Sequence, residues 1–209
     1  MLAKKIKNLA TKYHKATIAH RRHLHQFPEL SFQEKETSRY IAKALKELKI
    51  PIKRGVGGYG IVGMIKGNDP KSKTIALRAD MDALPIQEAN KVSYKSKHPG
   101  VMHACGHDVH SSSLLGTARI LQELRKEFSG TIKLIFQPAE EKSPGGASLM
   151  IKDGVLKNPA PAGILGQHVH PPLAVGKVGF RPGQYMASTD ELYLSIKGCL
   201  LYTSDAADE

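Results

Sequence analysis

Four times along this chain a polar cluster follows or closes an apolar segment, and each cluster is rich in carboxylate, imidazole or thiol groups. The clusters are Arg78-Ala-Asp80-Met-Asp82, His103-Ala-Cys105-Gly-His107-Asp108-Val-His110, Gln137-Pro-Ala-Glu140-Glu141 and Gln167-His168-Val-His170. In open α/β sheets, chemistry collects beyond the strand ends. A chain that repeats this pattern is expected to bring several strand ends to one edge of a sheet.

The segments between the clusters supply the rest of an α/β fold. Ile6, Leu9, Tyr13, Ala16 and His20 recur at helical spacing and predict a helix over 3–25, stopped by Phe27-Pro28. Ser31 and Glu34 have capping-box spacing and predict the start of a second helix reaching about Leu48. After a glycine-rich turn, Ile61–Ile65 and Thr74–Arg78 flank a Gly-Asn-Asp-Pro turn and read as a hairpin. The nearby glycines lack the strand–loop–helix context and the Lys-Ser/Thr signature of a phosphate loop. Further along, a helix is expected over about 111–128, a strand over 131–136, a short helix over 147–152 and a buried strand over 162–169. Helices alternating with strands predict a central sheet covered by helices.

Charge and length narrow the function classes. The 209 residues carry a formal charge of +12, but the lysines are scattered without a basic run or interleaved aromatics, so they read as solvated faces rather than a nucleic-acid surface. No apolar run approaches the roughly 20 residues needed to span a bilayer. The first ten residues lack a signal-peptide core, which makes the cytoplasm the default location.

Taken singly, the chemical residues have ordinary readings. Asp80 and Asp82 could belong to a turn, Cys105 to an inert core, Glu140 and Glu141 to a surface, and His168 to a hydrogen-bonded strand end. Taken together they suit a hydrolytic metal centre: several N, S and O ligands with one uncommitted carboxylate to act as base. A cysteine hydrolase built on Cys105 and His107 is the weaker reading, because residues two apart are poorly placed as nucleophile and base. A non-catalytic binding or structural protein is a third.

The stretches His-Ala-Cys-Gly-His-Asp, Arg-Ala-Asp-Met-Asp-Ala-Leu-Pro, Phe-Gln-Pro-Ala-Glu-Glu and Arg-Arg-His-Leu-His-Gln-Phe-Pro-Glu-Leu resemble the amidohydrolase branch of the aminoacylase/carboxypeptidase G metallopeptidase family, in the right order from about 18 to 198. The resemblance implies Cys105, His107, Glu141 and His168 as metal ligands, Glu140 as general base and Asp82 beside it in the catalytic set as the orienting aspartate. Asp80, Asp108 and His110 would stand behind the ligands, and His170 would not be a ligand. Two divalent ions are implied, manganese or zinc, with cobalt or nickel also tolerated by such mixed donors.

The implied substrate is a small N-acyl amino acid, cleaved at its amide by metal-activated water; a metallo-dipeptidase or carboxypeptidase of the wider family is the alternative. The implied fold is a zinc-peptidase-like catalytic domain, with a mixed central sheet flanked by helices, interrupted at the start of an α+β lid. Residues 1–184 are expected to be the N-terminal part of the catalytic domain and 185–198 the first strand of the lid, through which a homodimer could form. Residues 199–209 resemble the translated end of a transposase-based sequencing-library adapter. Without them Cys105 is the single cysteine and has no internal disulfide partner. The resemblance also implies catalytic parts beyond Gly198, so the 209-residue chain is expected to be an inactive, poorly stable fragment.

Overall fold

The computed structural model describes residues 2–184, 192 and 194–196. The chain divides into two compact units, Met1–Pro171 and Pro172–Glu209. All the regular elements named below lie in the first. They are α1 (Leu2–Gln26), α2 (Lys35–Glu47), β1 (Ile52–Val56), β2 (Gly60–Lys66), β3 (Thr74–Asp80), α3 (His107–Glu123), β4 (Thr131–Gln137), α4 (Gly146–Lys152) and β5 (Ile164–Gly166), with a 3-10 turn at Arg125–Glu127. The lid strand expected over 185–198 lies largely outside the described residues; Leu192 and 194–196 carry no regular structure. Residues 199–209 lie outside them altogether. Among the described residues no helix is long and apolar enough to cross a membrane.

The five strands form one mixed sheet in the order β1-β2-β4-β3-β5. The expected hairpin between β2 and β3 does not form. Instead β4 lies between them, antiparallel to β2 and parallel to β3. Burial supplies the reason. Leu134, Ile135 and Phe136 of β4 are all buried, so both faces of this strand need cover, which a central position provides. The 67–73 loop is long enough to step over it and is fastened to its entrance: the Gly67 amide donates to Gly130 O and the Thr131 amide to Lys73 O, at 2.9 and 2.8 Å.

One face of the sheet packs Ile61, Ile65, Leu134 and Phe136 against Ile41 and Leu45 of α2 and Leu114, Leu115 and Ala118 of α3. The other gathers Val56, Ala76 and Ile135 around Met150 of α4 and Val155. Lys133 interrupts β4 but is satisfied while buried. Its ammonium donates to the carbonyls of Val155, Lys157 and Pro159 at 2.8, 3.0 and 2.7 Å.

Two helix starts differ from expectation. Ser31 and Glu34 do not form a capping box, and no side chain of Glu34 caps α2. The amides of Glu36 and Thr37 donate instead to the Glu29 carboxylate, at 3.1 and 2.7 Å, where an anion suits a helix N-terminus. Helix α3 begins at His107 rather than Ser111, because Gly106 takes a left-handed conformation (φ 87°) just ahead of it. A Cβ on Gly106 would stand 2.3 Å from Val169 Cγ2, so only glycine fits there.

Candidate metal centre

Strands β3 and β4 run parallel with Asp80 opposite Gln137, and β5 runs parallel to β3 on its other side. Their C-terminal ends therefore open on one edge, carrying Asp80–Asp82, Gln137–Glu141 and Gln167–His168. The His103–His110 cluster does not follow a strand; only a single bridge, Leu84 to Met102, precedes it, and its residues from His107 onward open α3.

His107 is the hub. It is fully buried, and its Nδ1 lies 3.1 Å from Asp82 Oδ1. Asp82 also accepts hydrogen bonds at Oδ2 from the Ser31 hydroxyl (2.7 Å) and the Glu141 amide (2.9 Å). With these donors Asp82 stays ionised: burial opposes it, but the His107 hydrogen bond and the others hold its pKa below the usual value. An ionised Asp82 requires the proton on Nδ1, which leaves the Nε2 lone pair free.

Among the described residues that Nε2 has no hydrogen-bond partner, and neither has Glu141 Oε1, 3.6 Å away. Asp80 Oδ2 and Glu140 Oε2 stand 3.7 and 3.8 Å from the same nitrogen. These spacings are too long for hydrogen bonds. They are close to the ~3.4 Å separating two donors on one tetrahedral zinc with bonds of ~2.1 Å. Burial alone would lower the pKa of His107, but Asp82, Asp80 and Glu141 outweigh it and the net shift is upward.

A second group adjoins the first. Cys105 Sγ lies 3.4 Å from His168 Nε2, and with His107 they form a set of donors within 4.8 Å of one another. His168 donates from Nδ1 to its neighbour's carbonyl, Val169 O, at 2.7 Å, which again turns a bare Nε2 toward the sulfur. Burial, then Glu141, Glu140 and Asp80, push the Cys105 thiol up to about 12. Such a thiol is no free nucleophile, and it ionises only with a cation at hand.

His110 has both ring nitrogens occupied. Nδ1 bonds Asp80 Oδ1 at 2.7 Å, and Nε2 accepts the Val169 amide at 2.9 Å. It ties the end of β3 to the segment carrying His168 and has no lone pair left for a metal. Asp80 also takes Arg78 Nη1 at 2.6 Å. Burial works against its ionisation, yet the His110 hydrogen bond and the Arg78 charge hold its carboxyl at about 2.

Glu140 and Glu141 both face His107, although consecutive side chains on a strand point to opposite sides. Neither lies on a strand: both sit in the bend after β4, just beyond Ala139, whose φ is 46°. Burial first, then Glu141, raises the pKa of Glu140.

Asp108 turns away from the other eight expected residues. It pairs with Arg21 Nε and His25 Nδ1, both at 2.8 Å, while His25 Nε2 reaches Glu88 Oε1 at 3.0 Å. From sequence alone Arg21 and His25 carry no role, and Ser31 and Glu34 only that of a helix cap. Arg21 and His25, four apart on one helix face, were the available signal. His103, buried with both ring nitrogens unpartnered among the described residues, is held neutral by burial at a pKa of about 4.

A model of peptidase family M20/M25/M40 matches residues 76–205, more than half the chain. The chain belongs to this family. Among family relatives, an N-acyl-L-amino acid amidohydrolase of Geobacillus stearothermophilus is 43% identical over 203 residues, 95% of this chain and 53% of its own. An N-acetyl-L-cysteine deacetylase of Bacillus subtilis is 46% identical over 191 residues, 91% of this chain and 45% of its own. The crystal structure of Bacillus subtilis YXEP, a dinuclear metal binding peptidase from the M20 family, superposes with a TM-score of 0.74 at 45% identity, covering 79% of this chain and 46% of that one. The chain thus spans about half the length of the curated relatives it matches.

Proposed function

We propose that this chain is the N-terminal part of a metal-dependent amidohydrolase of the M20 family that removes the acyl group from N-acyl amino acids. One observation carries the reading: two buried ligand atoms, His107 Nε2 and Glu141 Oε1, lie 3.6 Å apart without hydrogen-bond partners among the described residues, with the Glu140 carboxylate beside them. Buried polar atoms are seldom left unpaired. Supporting it are the names of the two relatives, one acting on N-acyl amino acids and one on N-acetyl-cysteine.

Cys105, His107, Glu141 and His168 would hold the metal, zinc or manganese, with cobalt or nickel also accommodated by these donors. When bound, such ions polarise an amide carbonyl and lower the pKa of water. Glu140 takes the proton from the attacking water and returns it to the leaving amine. Its raised pKa brings it nearer the working range of a general base. Asp82 keeps the His107 proton on Nδ1. Asp80, held ionised by Arg78 and His110, keeps the His168 segment against β3. Residues 1–184 would belong to the catalytic domain and 185–198 to the start of a lid.

Titrating the 209-residue chain with cobalt(II) tests the centre. A thiolate-to-cobalt absorption band should appear, vanish in Cys105→Ser and weaken in His107→Ala. No band in the wild-type chain would overturn the metal reading. For substrate, a protein carrying this sequence at the length of its relatives should hydrolyse N-acetyl-methionine or hippurate in preference to simple dipeptides; the opposite preference would favour the peptidase alternative.

A further inference from the structure

The Ser31-Phe-Gln-Glu34 segment does not cap the helix that follows it, and its two polar side chains reach elsewhere. Glu34 is wholly buried, and its Oε1 accepts the Ala139 amide at 2.6 Å across 105 residues of sequence. Its Oε2 has no hydrogen-bond partner among the described residues. Ser31 donates to Asp82 Oδ2, the same oxygen that accepts the Glu141 amide. The 138–141 turn is thus gripped at two amides, once by Glu34 directly and once through Ser31 and Asp82.

The turn is gripped from behind as well. The Gly146 amide donates to Ala139 O at 2.8 Å, and a Cβ on Gly146 would stand 1.9 Å from Pro138 O. These holds enclose Ala139, the left-handed residue just ahead of Glu140 and Glu141, both of which face His107. A non-glycine residue keeps such a conformation only where its surroundings over-determine it. Among the described residues no cation is paired with Glu34, so a carboxyl buried there costs stability unless the amide it holds matters.

We propose that Glu34, assisted by Ser31, is a positioning residue for the candidate centre: it fixes the Ala139 turn and thereby aims Glu140 and Glu141 together at His107. The inference rests on the metal-centre reading above. It assigns the segment a function that its local sequence spacing, that of a capping box, conceals.

The test compares Glu34→Ala, Glu34→Gln and Ser31→Ala in the 209-residue chain, reading cobalt(II) affinity and hydrogen exchange at the amides of 139–141. Glu34→Ala should weaken cobalt binding by about 10–100-fold, the usual effect of losing a support behind a ligand. It should also speed exchange at 139–141 while β4 and α3 stay protected. Glu34→Gln keeps the acceptor for Ala139 and should restore both readouts. Ser31→Ala should shift both in the same direction by less. If Glu34→Ala lowers thermal stability but leaves cobalt affinity unchanged, the role is structural only and the proposal is overturned. If Glu34→Ala fails to fold, Ser31→Ala decides, and unchanged affinity there overturns the proposal. A wild-type chain that takes up no cobalt instead overturns the metal reading itself, and the proposal with it. That outcome is distinguishable, since it appears before any substitution is made.

Discussion

At the residue scale the candidate centre depends on who holds each proton. His107 is useful as a ligand only with its proton on Nδ1, and Asp82 enforces that while also accepting from Ser31 and Glu141. Asp82→Asn is therefore not conservative. Its carbonyl could still serve His107, but the new NH2 would face the Glu141 amide, a donor that cannot turn away. We expect this variant to lose about 10–100-fold in metal affinity, in line with other supports of metal-bound histidines. Isothermal titration with zinc checks it; unchanged affinity would mean that Asp82 does not set the tautomer. Residues of this kind were only partly legible. Cys105, His107, Glu140, Glu141 and His168 stand out because ligand chemistry is rare and was clustered. Ser31 and Glu34 do not, because their partners lie 51 and 105 residues away and their spacing imitates a local motif.

At the scale of elements, α1, α3 and β4 are legible because their apolar period is local. The order of the strands is not, since β2 and β3 carry nothing that names their neighbour. The link between α1 and α3 was equally hidden. His25 on α1 lies between Asp108, at the start of α3, and Glu88, with Arg21 also on Asp108 and Tyr94 edge-on to the imidazole. Two carboxylates on its two ring nitrogens call for an imidazolium. The Asp108 hydrogen bond, partly offset by burial and helped by Glu88, raises its pKa above the ordinary 6.5. A raised histidine contributes stability that is complete below pH about 6.5 and is lost as pH rises through the folded value. Urea unfolding at about pH 6 and pH 9 should show the wild type losing more stability on going alkaline than His25→Gln does. Equal losses in the two proteins would show that His25 is not charged in the fold.

For the molecule as a whole, β4 is both the middle of the sheet and its tether to the path toward β5. Lys133 joins the two by holding the carbonyls of Val155, Lys157 and Pro159. A lysine inside a strand reads locally as an outward-facing residue, and only the returning chain shows why it is buried. Lys133→Met fits the space but strands those carbonyls, and should cost about 1–3 kcal/mol. Denaturant unfolding measures it; a neutral effect would mean that the carbonyls find other partners.

The place of β4 also bears on how the protein is made. Residues 60–66 and 74–80 leave the ribosome as neighbours, yet the finished sheet needs a gap between them. The slot must stay open while residues 81–130 are synthesised, or a prematurely zipped pair must separate again. Its eventual occupant also delivers Gln137 and the turn beyond it, so the strand that fills the slot carries the two glutamates toward His107 as it docks.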